Sequence, residues 1–534
     1  MSRPHYHPAR AKALRTVLTP REMQAADRYT IETLGLDGIA LMESAGRQVA
    51  DRVDHHARPG DAVAIFMGRG NNGGDGAVVA RYLVGRGYDV SLWLCADPAG
   101  VIGDARTNLT VCERLGLSIH RVESQNDLPT FEQAQVVIDA LLGTGLRGDP
   151  RGALALAIQW INDWSARTRG PVIAVDVPSG VSGLTGRAGT PSVQASETVT
   201  FAASKLGHWL YPGASQVGTL QVVDIGIPDE AIEAALRQLG GHRRWVLGPE
   251  TLAPAFVSRA PYSHKGSYGT LAVIGGSPGR TGAARMALDA ALRSGVGRVT
   301  LLTDPRVEAP LAAQAYEAMV KAGWSDEAGV AQITASLSTQ IRGSSALVLG
   351  PGLADDVAAR VDWPQWLSTI PTPVLIDATG LDGLRGRLEM LNDGGPRVIT
   401  PHPGEAGRML GVTASKVQSD RLRALIQLME KTGAVVVLKG AHTLVGDPEA
   451  GIAVCPVGNP GMAVGGSGDV LSGIIGALLA RGLNAGEAAR AGVYWHARAG
   501  DLAAARLTEG SLLPRDMIQS LIEVERQEAE CSHD

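Results

Sequence analysis

At 534 residues the chain is too long for a single hydrophobic core, so two or more domains are expected. Hydrophobic residues at 45% and 67 glycines point to an α/β protein rich in tight turns and close backbone approaches. A net charge of −5, an aromatic content of 4% and the lack of any basic block argue against a nucleic-acid surface. No apolar run reaches membrane-spanning length without a break, so no membrane partner is expected.

Residues 1–17 begin basic and His-rich but contain no apolar core; they are expected to be a disordered tail rather than a secretory signal. Thr19-Pro20-Arg21-Glu22 reads as a helix start, with a Thr cap, Pro in the first turn and Glu three residues after the cap. The helix is predicted to run to about Leu34, and a second from about Gly38 to Ala57. Alternation then begins: a strand over Ala62–Gly68, a helix over Gly76–Gly85, and strands over Tyr88–Cys95, Val136–Gly143 and Pro171–Gly180. Strand, crossover helix and strand in this order imply a parallel sheet covered on both faces, with ligands beyond the carboxyl ends of the strands. Cys95, Cys112, Cys455 and Cys531 are scattered with no CxxC pair, so neither a disulfide framework nor a zinc site is expected, and a reducing cytoplasm is the natural home.

Three loops fall at those strand ends. Gly68 to Gly76 (GRGNNGGDG) lacks both the GxGxxG spacing and the GK[ST] ending of a Walker loop, but its amides are free to cradle a pyrophosphate. The second runs from Asp139 to Gly148 and the third from Asp176 to Gly180. Taken singly, a strand-end Asp often just caps the next turn. Together, NNGGDG, DALLGTGL and DVPSG resemble the YjeF N-terminal family, the NAD(P)H-hydrate epimerases, over roughly Leu18 to Ile227. That resemblance implies that Asn71, Asn72, Gly73, Gly74 and Asp75, with Gly143, Thr144, Gly145, Leu146, Arg147, Gly148, Asp149 and Asp176, bind the hydrated dinucleotide. It also implies that Asn72, Asp139 and Ser179 ligate potassium, for which amide, carboxylate and hydroxyl oxygens are suitable hard donors. Asp176 is the candidate acid/base.

The domain boundary is expected near Gly240, giving domains 18–240 and 241–534. Beyond it, a strand over Gly269–Ile274, a helix over Gly282–Arg293 and a strand over Arg298–Thr303 are followed by apolar strands within 345–353, 373–381, 396–405 and 434–445. After them comes Gly458 to Gly482. In that stretch Gly465, Gly466, Gly468 and Asp469 lead into a helix whose Val470, Leu471, Ile474, Ile475, Leu478 and Leu479 recur at helical spacing. Glycines ahead of a helix N-terminus make an anion site. A carboxylate beside a bound phosphate cannot serve to hold it; it can take a proton from a hydroxyl attacking phosphorus, which makes Asp469 the candidate base.

KGSYGTLAVIGG, LGPGL, TPHPGEA, LKGAHT and NPGMAVGGSGD, in this order, are similar to ADP- or ATP-dependent NAD(P)H-hydrate dehydratases, which have a ribokinase-like fold, over about Val257 to Met517. The resemblance implies hydrate contacts from Ala283, Gly352, His402 and Asp469. It implies adenine-nucleotide contacts from Lys439, Gly440, Ala441, His442, Thr443 and Gly468, with magnesium accompanying ADP. The family often has DADAL or DADGL where this chain has Asp377-Ala378-Thr379-Gly380-Leu381, which removes one carboxylate from the neighbourhood of the magnesium. Blander roles exist too: His402 as a helix cap, Lys439 as a surface lysine and Glu405 as a partner of the helix dipole. The two resemblances imply a Rossmann-like αβα domain and a ribokinase-like αβα domain. They further imply a bifunctional enzyme that epimerises and dehydrates NADHX and NADPHX, assembled as a homo-oligomer, tetramer or larger. The rival readings are a small-alcohol or vitamin-precursor kinase fused to a YjeF-type binding module, and a scaffold with no epimerase chemistry.

Overall fold

The computed structural model describes residues 15–131, 134–145, 148–256, 258–325 and 329–531. They form two compact units that divide between Arg244 and Trp245.

The first unit holds seven parallel strands: β1 (Ala62–Met67), β2 (Asp89–Leu94), β3 (Ile119–Arg121), β4 (Val136–Ala140), β5 (Val172–Val175), β6 (Glu197–Phe201) and β7 (Thr219–Val223). Their order is β3-β2-β1-β4-β5-β6-β7, so the chain reverses direction of growth between β1 and β4. Side chains alternate across this sheet as strand geometry demands. Val63, Ile65 and Met67 join the core under α2 (Gly38–Val53), α3 (Asn71–Gly85) and α4 (Gly103–Arg114), while Ala64 and Phe66 pack against α5 (Ala153–Thr168). Each such fully buried Ile, Val or Leu contributes about 1.5–3 kcal/mol.

The helix predicted at Thr19 forms, as α1 (Pro20–Arg28), with its capping box complete: Glu22 N–H donates to Thr19 Oγ1 and Thr19 N–H to Glu22 Oε2. It stops being α-helical at Arg28. Tyr29–Thr33 is a π-helical turn, in which the Thr30 hydroxyl donates to the Ala26 carbonyl at 2.9 Å, a local bond that competes with the regular ladder. Of the expected tail, residues 1–14 lie outside the described residues. Val17 and Leu18 are fully buried and pair in parallel with Ser204 and Lys205, so packed structure begins before Leu18.

The second unit carries a ten-stranded sheet. Its strands are β8 (Arg244–Val246), β9 (Thr270–Ile274), β10 (Arg298–Thr303), β11 (Met319–Ala322), β12 (Ala346–Leu349), β13 (Val374–Ile376), β14 (Arg397–Ile399), β15 (Val435–Leu438), β16 (Leu444–Asp447) and β17 (Gly451–Val454). The order is β8-β17-β16-β15-β14-β13-β12-β9-β10-β11, parallel from β11 through β15 and antiparallel from β15 to β17. The apolar run over 434–445 is therefore a hairpin rather than one strand. It breaks at Lys439–Thr443, where Gly440 (φ +141°) and His442 (φ +51°) turn the backbone out of extended geometry.

α7 (Thr281–Arg293), α10 (Ser467–Ala480), α11 (Ala485–Leu507) and α12 (Pro514–Cys531) share one core with this sheet. The periodic residues of α10 are buried as predicted. Its glycines permit the close packing: a Cβ on Gly473 would fall 2.2 Å from the Ala287 carbonyl oxygen, and one on Gly476 2.3 Å from Val348.

Candidate active sites

In the first unit the carboxyl ends of β1, β4 and β5 open onto a cavity of about 760 Å³, a size suited to a nucleotide-sized ligand. α3 begins at Asn71, five residues ahead of its expected start, so NNGGDG is the first turns of a helix and not a loop. The first intrahelical bond runs from Gly74 N–H to Gly70 O, and among the described residues no partner takes the amides of Asn71, Asn72 and Gly73, the free donors with which a helix start can bind an anion. Asn71, Asn72 and Asp75 line the cavity, as do Gly143, Thr144, Gly145 and Asp176.

Gly73 and Gly74 have a different task. A Cβ on Gly73 would stand 1.9 Å from the Gly68 carbonyl oxygen, and one on Gly74 would collide with Met42 and with the Ala105 backbone. They let α3 sit against β1 and its neighbours. Gly148 and Asp149 do not line the cavity; Asp149 accepts from Arg187 Nη2 at 2.9 Å on the surface. Leu146 and Arg147 lie outside the described residues.

Asp139, near the end of β4, is fully buried. Its Oδ1 accepts from Ser179 Oγ at 2.5 Å and Leu141 N–H at 3.2 Å, and its Oδ2 from Ser179 N–H at 2.8 Å. Ser179 Oγ in turn accepts from Leu142 N–H at 2.8 Å. Burial pushes Asp139 up to about 6 against these hydrogen bonds. The count leaves one spare lone pair on Oδ2 and one on Ser179 Oγ. The Asn72 amide is buried, and among the described residues its nitrogen has no partner. These oxygens, all hard donors, fit an alkali cation.

Asp176 follows β5 with φ +65°, a strained conformation for a side chain beyond Gly. Lys205 Nζ donates to its Oδ1 at 2.6 Å and Thr200 Oγ1 donates to the same oxygen at 3.0 Å, while Lys205 also donates to Thr200 Oγ1 and the Phe201 carbonyl. Burial raises the Asp176 carboxyl, but the Lys205 ammonium outweighs it and holds the group below the ordinary aspartate value. His208, kept neutral by burial and by Lys205 at about 4, reaches the Asp176 carbonyl. Lys205 and Thr200 are not legible as site residues: they lie just after and within β6, a strand that the sequence pattern does not reveal.

In the second unit Gly466 (φ +99°) is the residue that caps the start of α10. Ser467 N–H is bonded to Val464 O and Val470 N–H to Gly466 O; among the described residues no partner takes the amides of Gly468 and Asp469. Asp469 is thus the third residue of a helix whose first amide donors are left for a ligand. Burial, then the Asp377 and Glu405 carboxylates, raise its carboxyl to about 7, with Lys439 opposing. Lys439 N–H donates to Pro401 O at the end of β15, and Nζ donates to Asp377 Oδ1 at 2.8 Å while lying 3.7 Å from Glu405 Oε2. Ser472, one turn on from Asp469, donates to Asp377 Oδ2 at 2.7 Å. A Cβ on Gly468 would be 3.4 Å from Lys439 Nζ, so lysine and glycine-lined turn are adjacent.

His402 caps α8 (Pro403–Leu410): Nδ1 accepts from Gly404 and Glu405 N–H at 3.0 and 3.3 Å, and Glu405 Oε2 returns the bond to His402 N–H. With Nδ1 an acceptor, Nε2 of the half-exposed ring is left as the donor, 3.5 Å from Glu405 Oε1. Ala283 and Gly352 meet where the loops after β9 and β12 converge; Gly352 has φ +65° and a Cβ there would be 3.2 Å from that of Ala283.

The Lys439–Thr443 turn is held from below by Arg421, on α9 (Arg421–Thr432), which donates to the carbonyls of Leu438, Ala441 and His442. Thr443 Oγ1 closes the turn on the Gly440 carbonyl. Thr379 opens a short helix just after Asp377. A second cavity, about 960 Å³, lies at the opposite end of α10 beside Arg481 and Trp495 and includes none of these residues. Among the described residues no group of three or more His, Cys, Asp or Glu could hold a metal ion, and no helix is long and apolar enough to cross a membrane.

Comparison with known proteins places both units. Residues 38–207 match the family described as YjeF-related protein N-terminus, and residues 271–523 match NAD(P)H-hydrate dehydratase. The bifunctional NAD(P)H-hydrate repair enzyme of Moorella thermoacetica is 38% identical over 515 residues, covering 95% of this chain and 96% of its own. The Escherichia coli enzyme of the same description is 35% identical over 95% of this chain and 93% of its own. Among solved structures, an ADP/ATP-dependent NAD(P)H-hydrate dehydratase from Bacillus subtilis, co-crystallised with ATP and magnesium, is 27% identical over 53% of this chain and 98% of that one, with a TM-score of 0.44. With relatives of this identity along nearly its whole length, the chain belongs to the family of bifunctional NAD(P)H-hydrate repair enzymes.

Proposed function

We propose that this protein returns hydrated NADH and NADPH to use in two steps. The first unit interconverts the R and S hydrates, and the second dehydrates the S form, consuming ADP and releasing AMP and phosphate. The observation that carries the second step is Asp469, a half-buried carboxyl raised to about 7 at a helix start where, among the described residues, the Gly468 and Asp469 amides have no partner. Hydroxide leaves poorly at neutral pH, and phosphate leaves well. Asp469 accepts the proton of the substrate hydroxyl as its oxygen bonds to the β-phosphorus of ADP and the bond to AMP breaks. The amides of Gly468 and Asp469, in the turn opened by Gly465 and Gly466, stabilise charge on the phosphoryl group in flight. The ring nitrogen's lone pair then expels phosphate, and loss of a proton from the neighbouring carbon restores the dihydropyridine.

Lys439, Gly440, Ala441, His442, Thr443 and Gly468 are proposed to hold the nucleotide, and Ala283, Gly352 and His402 the hydrate. Magnesium would arrive on the donor's phosphates and neutralise part of their charge, in keeping with its usual reliance on one or two carboxylates plus phosphate oxygens. In the first unit the cavity-lining residues of 71–75 and 143–149, with Asp176, are proposed to bind either epimer. Potassium held by Asn72, Asp139 and Ser179 would screen the dinucleotide's phosphates. The whole is proposed to work in the cytoplasm as a homo-oligomer, which light scattering would measure.

Incubating the protein with both hydrate epimers, magnesium and either ADP or ATP, while following dihydropyridine absorbance, tests the reading. Full recovery of absorbance, faster with ADP, is expected. Recovery of only half of the hydrate would remove the epimerase, and a lasting phosphorylated product would favour the small-alcohol kinase.

A further inference from the structure

Inverting a carbon that bears a hydroxyl next to nitrogen calls for proton handling on both of its faces. One group protonates the departing hydroxyl, and another receives a proton from the water that enters opposite. Asp176 is one carboxyl poised in the first unit's cavity, fixed there by Lys205 and Thr200. Asp27, on the last turn of α1, lines the same cavity from a different part of the chain. It is only half-buried, and among the described residues no hydrogen-bond donor closes on it. We propose that Asp27 is the second proton-transfer residue of the epimerase site, acting as acid when Asp176 acts as base and exchanging roles with it in the reverse direction. This rests on the epimerase reading above.

The step balances without any co-reactant but water. The Asp27 carboxyl gives its proton to the hydroxyl, the C–O bond breaks, water leaves, and the nitrogen lone pair forms the C=N bond of an iminium. A water molecule adds to the other face, the C=N pair returns to nitrogen, and the entering oxygen's proton passes to the Asp176 carboxylate. The proton gained by Asp176 and lost by Asp27 must then be re-equilibrated with solvent, which the partial exposure of Asp27 allows.

Asp75 also lines the cavity, but it is buried within α3, and burial together with Asp176 and Asp27 raises it well above the ordinary value. That shift favours its neutral form and so works against a third negative charge between the other two. Asp27 faces Lys205, Asp176 and Asp75, with Arg28 beside it in sequence. Burial raises it to about 6, Asp176 adds to the rise, and Lys205 and Arg28 oppose it. The two acting carboxyls are thus set apart in opposite senses, the arrangement that lets one donate while the other accepts.

The test follows epimer interconversion by chromatography, without ADP, from a purified R hydrate in water enriched in heavy oxygen. The wild type is expected to incorporate the label at each inversion and to lose rate as pH rises through the titration of the Asp27 carboxyl. Asp27→Asn is expected to lower turnover at least 100-fold with KM changed less than threefold, to retain a cooperative melting transition, and to lack that alkaline fall. Asp27→Glu, which keeps a carboxyl, should recover at least tenfold over Asp27→Asn and regain the fall. Turnover of Asp27→Asn within threefold of wild type, inversion without label, an alkaline fall lost in Asp75→Asn but kept in Asp27→Asn, or a folded Asp27→Glu no faster than Asp27→Asn would each overturn the proposal. A wild type that leaves the R hydrate unconverted would instead overturn the epimerase reading itself, and the role of Asp27 with it.

Discussion

Lys439 Nζ stands 2.8 Å from Asp377 Oδ1, and Ser472 donates to the other carboxylate oxygen, so a charge pair is buried directly beneath the glycine-lined start of α10. Burial disfavours both ions, but each holds the other charged: Asp377 lies below and Lys439 above its ordinary value. Thr379 does not restore the carboxylate missing from this stretch, and Asp377 is already committed to the lysine.

Removing one partner strands the other. Lys439→Met should destabilise the second unit by about 3–5 kcal/mol, because an uncompensated carboxylate remains in the interior. The double change Lys439→Met with Asp377→Asn should recover most of that loss but not nucleotide binding. Urea melts at pH 7 and nucleotide titration by calorimetry separate the two effects. Since the Asp377 carboxyl is lowered on folding, the pair's stabilisation is complete above the ordinary aspartate value of 3.8 and fades as pH falls below it.

Asp469 carries the opposite sign. Its carboxyl is raised on folding from 3.8 to about 7, so the folded state holds that proton more tightly and loses stability as pH rises through this interval. Asp469→Asn should therefore be more stable than wild type at pH 8, by about 1–2 kcal/mol once partial exposure is allowed for. The same change should lower dehydration by about 10³-fold, with nucleotide affinity altered less than threefold. In the wild type the rate should climb with pH up to about 7 and then level off, as a base that must be ionised requires. A rate independent of pH between 5 and 8 would point to another base.

Gly73 offers a purely steric test. A methyl there would meet the Gly68 carbonyl oxygen at 1.9 Å, and the atoms around it are Gly68 backbone with no flexible end to move away. Gly73→Ala should cost about 3 kcal/mol in the first unit and abolish epimer interconversion. Thermal melting of the full chain, read alongside the R-to-S rate, checks both.

Potassium dependence distinguishes a cation site from a hydrogen-bonded turn. Exchanging potassium for lithium should slow epimerisation about tenfold or more and leave dehydration of the pure S hydrate unchanged. Asp139→Asn should remove the difference between the two ions. Initial rates in matched chloride salts provide the comparison.

Helix periodicity made α10 legible from sequence, because six apolar residues at helical spacing leave little choice of face. The central strands of both sheets were legible as apolar runs and glycine turns, but β6, β7 and β8 were not expected. The short edge strands β3 and β11 were not, since three or four mixed residues at a sheet margin carry no clear period. Asn71 begins α3 despite two glycines in its first turn, where tertiary packing overrides their low helix propensity. Asp469, Asp139 and Asp176 were visible because each stands beside a glycine-rich strand end. Lys205, Asp27 and Arg421 were not, because each acts on a partner 20 or more residues away, which no local pattern records.

Two residues at the front of the described chain, Val17 and Leu18, are stitched to Ser204 and Lys205. That seam fixes the backbone presenting the amine on which the orientation of Asp176 depends. A protease nick or bulky fusion just upstream of Val17 would loosen that amine from afar, leaving a protein that still purifies and melts normally yet epimerises its substrate poorly.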